Sequence, residues 1–141
     1  MGKINLARVI VGGIVAGIIV NISMYLLHDV VLKTQHEETM RALGKTMPTG
    51  GSVLVVWLLY GFIWAIVAVW LYAAIRPRYG AGPATAARAA VAVWFFGCLL
   101  PGVAMWNMGL FPLSGLEGGW DLVTDIVAVI AGAALYKEGP A

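Results

Sequence analysis

Charge is scarce in this sequence: nine Lys and Arg and seven Asp and Glu make up 11% of its 141 residues. A water-facing domain usually carries about 25% charged residues, so these are too few to clothe a soluble surface. Cysteine is scarcer still. Cys98 stands alone in an apolar run, which excludes a disulfide-stapled secreted module. No internal repeat or low-complexity tract is visible, and a formal net charge of +2 leaves no broad basic face for nucleic acid. What the chain does have is apolar side chain, 61% of its residues. That is the composition of a membrane protein, and it excludes a disordered chain or a coiled coil.

A helix needs roughly 20 apolar residues to cross about 30 Å of hydrocarbon. Four such runs occur, at about 4–27, 53–75, 86–106 and 116–136. The first contains Asn5, Arg8, Asn21 and Ser23; the second has no charge; the third contains Pro101, which is expected to kink it. The fourth is weakened by Glu117, Asp121 and Asp125 but has the right length. Residues 28–52 are the one long polar connection, and 34–43 within it has the pattern of a short helix on the membrane surface. The expectation is a single all-α domain over 1–141, an integral membrane antiparallel four-helix bundle. Lys3, Arg8, Arg76, Arg78, Arg88 and Lys137 all fall on one side. The positive-inside rule makes that side, and both termini, cytoplasmic, with 28–52 extracytoplasmic. The first run is longer than a signal-peptide core and no A-x-A-like site follows it, which favours a retained span over a cleaved signal.

Ionisable groups are costly inside a bilayer, so their positions carry the most information. Glu117, Asp121 and Asp125 recur every four residues and share one helix face. At 1.5 Å per residue from Tyr136, Asp125 lies about 16 Å deep and Asp121 about 22 Å. An Asp at the centre costs about 2.5–3.5 kcal/mol on insertion scales, so this face should turn toward protein or water. The same ruler places Asn21 about 25 Å from Ile4, level with Asp121. Gly13, Gly17 and Asn21 form a stripe in the first span, and Ala128 and Gly132 continue the acidic stripe of the fourth. Small residues spaced by four allow close helix approach, and an amide can donate to a carboxylate. Spans one and four are therefore expected to pack along this seam. The carboxyls either lock the bundle or line a path for protons or cations.

His28 and Asp29 sit where the first span ends, and His36 follows eight residues later. Neither histidine belongs to an H-x-x-x-H, H-E-x-x-H or C-x-x-C arrangement, so no metal site is expected and His28 reads as a solvated interfacial residue. A pigment or haem would need only one axial imidazole, for which His28 is the candidate. A lipid-directed enzyme would need Glu117 and Asp121 to hold a metal together with His28. Trp57, Tyr60, Trp70 and Tyr72 suit interfacial belts, whereas Trp64 is too deep for one. Cys98 has no His expected at its depth and Ser114 no base beside it, so no catalytic residue is assigned.

The runs RVIVGGIVAGIIVN (8–21), VAVWLYAAIRPRYGAGPATA (67–86) and AGAALYKE (131–138) resemble small four-span bacterial membrane proteins, a group without an assigned activity. The resemblance implies a bacterial inner-membrane location and the four-span topology, and it supplies no chemistry. Small multidrug exporters also have four short spans, but they need a glutamate in the middle of the first, where this chain has glycines and apolar residues. Composition requires no cofactor; bound lipid fits. The expected function is a non-enzymatic accessory subunit that packs against a larger membrane complex, a bioenergetic one among the options, or against copies of itself. The rival is a small oligomeric proton- or cation-coupled transporter or channel using the carboxylates.

Overall fold

A computed structural model describes residues 4–139, which leaves Lys3 outside the described residues. The described chain is helical, with no strand. Asn5 caps α1 (Leu6–Tyr25), its side chain accepting from Arg8 N at 3.2 Å and so satisfying one of the free N–H groups of the first turn. α1 runs on into a π-helical turn, Leu26–Val31. The chain then bends at Leu32 into α2 (Lys33–Ala42). α3 (Gly51–Tyr79) ends at Gly80, whose φ of +84° suits a residue without Cβ. Pro83 opens α4 (Pro83–Trp94), where its missing N–H costs nothing. A second π-helical turn, Phe95–Leu99, joins α4 to α5 (Leu100–Asn107). Ser114 caps α6 (Gly115–Ala134) by accepting from Glu117 N at 3.2 Å.

Among the described residues, three stretches are long and apolar enough to cross a membrane: Leu6–Val31, Gly51–Tyr79 and Pro83–Asn107. Each outruns its sequence estimate. His28, expected at the start of a loop, lies inside the first helical stretch. The break anticipated in the third run takes the form of the Phe95–Leu99 turn. Pro101 has no N–H for the carbonyl of Gly97 and crowds it, and the helix widens there, with Leu100 N bonded to Phe95 O.

α6 joins these three. It packs against α1 on one side and α4 on the other and touches α3 across the middle, while α1 and α4 each pack on α3. The pairs α1–α3, α3–α4, α4–α6 and α1–α6 run antiparallel, and α3 and α6, which meet across the middle, run parallel. Along α1 and α6, Asn5 meets Tyr136, Gly12 meets Gly132, Ser23 meets Thr124 and His28 meets Glu117. The core is mostly alanine, with Ala16, Ala65, Ala68, Ala89, Ala90 and Ala128 at 1% exposure or less. It lies toward the Tyr136 end. At the His28 end, every residue from Leu54 to Tyr60 is exposed and no residue of Phe95–Asn107 is buried.

The α1–α6 seam differs from the one expected. Gly12, not Gly13, faces α6; a Cβ on Gly12 would stand 2.5 Å from Gly132 O, and one on Gly132 would stand 2.5 Å from Gly12 O. Gly13 and Gly17 turn instead to α3, against Ile66 and Phe62. Adjacent helix residues point about 100° apart, so a shift of one position sends a stripe to another neighbour. α1 has small residues on both faces, and spacing alone does not distinguish them.

Candidate functional site

Of the acids expected on one face of α6, Asp125 is buried and Asp121 and Glu117 are half-buried. Asp125 is 5% exposed, and its Oδ1 accepts from Trp64 Nε1 at 3.3 Å. Trp64 can reach it because its ring occupies the space left by the missing side chain of Gly97, on the π-helical turn before α5. This accounts for a tryptophan too deep for an interfacial belt. Asp125 Oδ2 is buried with no partner.

Asn21 does not donate to a carboxylate. Its Nδ2 donates to Gly17 O at 2.8 Å and to Leu58 O of α3 at 3.4 Å, and its amide fills the space beside Gly61. Rise per residue fixes depth, and Asn21 was placed level with the acids; it does not fix rotation, and the amide turns to α3 with the rest of its stripe.

Hydroxyls join α1 to α6. Ser23 Oγ and Thr124 Oγ1 are 2.7 Å apart, and Trp120 Nε1 donates to Ser23 Oγ at 2.8 Å. Trp94 of α4 donates its Nε1 to Gly118 O at 3.0 Å. Ser23 and Gly12 are eleven residues apart, three turns, so they share the face toward α6. Sequence reasoning passed over these contacts. The available signal was a set of hydroxyl and indole groups inside apolar runs, where a polar atom needs a partner.

At the His28 end, Glu117 Oε1 lies 3.9 Å from His28 Nδ1, and the ring of His36 stacks on that of His28 with centroids 5.1 Å apart and planes 20° apart. His28 Nε2 is buried and unpartnered. Two histidines that fit no ligand spacing in sequence are thus neighbours in space, through the turn at Leu32. Asp121, the other residue considered for a metal beside His28, is half-buried deeper along α6 and is not part of this group.

The opposite end is aromatic and cationic. Asn5 N donates to Tyr136 Oη at 3.3 Å, Tyr72 meets Tyr136 edge-on at 5.9 Å, and the Arg76 guanidinium lies 5.5 Å from the Tyr136 ring and 3.7 Å from Glu138. Ser114 and Cys98 form no nucleophile–base pair: the Ser114 hydroxyl caps α6, and Cys98 is a half-buried free thiol. No protein-family model, curated protein or solved structure matches the chain.

Proposed function

We propose that the protein is a non-enzymatic integral membrane protein of four antiparallel crossings, with α6 as the fourth, acting as an interaction subunit of a membrane assembly or of its own oligomer. The observation that carries this reading is the uneven use of its surfaces. Polar side chains tie helices together at Ser23–Thr124, Trp120–Ser23, Trp94–Gly118, Asn21–Leu58 and Trp64–Asp125. The outer turns of α3, from Leu54 to Tyr60, expose an unbroken apolar surface to whatever surrounds them. A helix end that its own chain leaves uncovered offers Trp57 and Tyr60 as anchors for another helix. Asp125 is buried and Asp121 half-buried, which makes a crossing tolerable despite their cost. Membrane lipid covers what a partner does not. By the positive-inside rule both ends would be cytoplasmic, and the meeting of Asn5 with Tyr136 accords with an even number of crossings.

A photoreactive residue at Leu59 in the native membrane tests the reading. Discrete adducts with a protein, either a second copy or another subunit, are expected, with none from a buried control position at Ala128. Adducts with lipid alone at Leu59 would remove the interaction role.

The unpartnered Asp125 Oδ2 favours a second reading, in which Asp125, Asp121 and Glu117 carry a proton or cation. In proteoliposomes that activity would appear as flux lost in Asp125→Asn; a wild-type protein without flux excludes it.

A further inference from the structure

The interaction reading leaves His28, His36 and Glu117 unused. His28, His36 and Glu117 each offer one ligand atom, and these atoms all lie within 4.8 Å of one another. They come from three separate pieces of the fold: the π-helical turn after α1, the helix α2, and the first turn of α6. We propose that His28, His36 and Glu117 bind one divalent first-row transition cation, with Zn(II) the best match, and that the ion clamps α2 onto the ends of α1 and α6.

The donor set selects the ion class. Two imidazole nitrogens and one carboxylate suit zinc and its neighbours, whereas calcium takes six to eight oxygens, and magnesium an octahedron of oxygens. Ligand atoms around a tetrahedral zinc at about 2.0–2.2 Å sit roughly 3.3 Å apart. Binding would draw the three ligand atoms together from their present spacing of up to 4.8 Å. A third of the Glu117 side chain and a quarter of the His28 side chain are exposed, so an aqueous ion can enter and keep water at its fourth position.

Two further observations bear on the same residues. Neither ring nitrogen of His28 is spent: Nδ1 stands 3.9 Å from Glu117, beyond hydrogen-bond length, and Nε2 is buried without a partner. A buried polar atom left so is uncommon; one ion takes one of the two nitrogens, and Nε2 is satisfied where it is the ligand atom. The π-helical turn is also centred on His28. One residue more per turn swings the ring from the direction a regular helix would give it, and such turns recur at functional positions. The bend at Leu32, with φ −100° and ψ 6°, then lays His36 over His28.

The full-length chain, purified in detergent and freed of metal, is titrated with Co(II) and then Zn(II). The expected result is one Co(II) per chain, with the visible bands of a four-coordinate ion, displaced by one equivalent of Zn(II). His36→Ala, on the surface helix α2 and outside the bundle, should weaken binding at least about 10-fold without changing helicity or elution volume; so should Glu117→Gln. Asp29→Asn, a neighbouring carboxylate outside the group, should bind as the wild type does. Absence of binding at micromolar metal, or a His36→Ala variant that binds equally well, overturns the proposal. A loss in Asp29→Asn equal to that in Glu117→Gln overturns the assignment of ligands. None of these outcomes depends on a protein partner, so failure here leaves the photocrosslinking test at Leu59 untouched.

Discussion

Gly12 and Gly132 show how narrow the tolerance between α1 and α6 is, since each faces the other's carbonyl oxygen and neither has room for a methyl group. Gly132→Ala should destabilise the bundle by about 1–3 kcal/mol, the usual cost of overpacking a close contact. Gly118→Ala, on the same helix with nothing within 4 Å of the added carbon, should not. Thermal unfolding of both variants in one detergent checks the contrast. Individual residues were unevenly legible. Asp125 declared itself, because a carboxyl near the middle of an apolar run must face inward. Trp64 could be marked only as out of place, since its role depends on Gly97 of another helix. His36 gave no signal, because eight residues match no ligand spacing until the chain bends at Leu32.

Among the helices, polar contacts set rotation. A small-residue stripe fixes how close two helices come, and α1 carries one stripe for α3 and another for α6. The hydroxyl pair Ser23–Thr124, with Trp120 donating to the same Ser23 oxygen, marks the face toward α6. A double-mutant cycle on Ser23→Ala and Thr124→Val should return a coupling of about 0.6 kcal/mol, and no more than roughly 1.7 kcal/mol, the range for interhelical hydrogen bonds in membranes. A coupling of zero by equilibrium unfolding would remove the pair as a determinant of the seam. The approximate place of the apolar runs and the Pro101 break could be read from the sequence because each depends on the run itself. Which stripe meets which neighbour could not, because that depends on the other helices. The π-helical turn at Leu26–Val31 contains neither proline nor glycine and left no mark in the sequence.

For the molecule as a whole, the first and last described helices meet at one end, through Asn5 and Tyr136. Tags placed before α1 and after Tyr136 should therefore report the same side of the membrane, and a cysteine introduced at Lys45 should react from the opposite side. Opposite readings for the two tags would mean that α6 does not cross. The helical class and the three most apolar stretches were plain from composition. α6 was the doubtful one because of its acids, and it packs, as α3 does, against the other three helices.

That core is lopsided, and the lopsidedness gives loss of structure a direction. Alanine and glycine backbones interlock near Tyr136, while the far turns of α3 and the whole of α5 lean on surroundings the chain does not supply. Thinning or stripping those surroundings will fray the molecule from the histidine end first and leave the other end as a closed knot of helices.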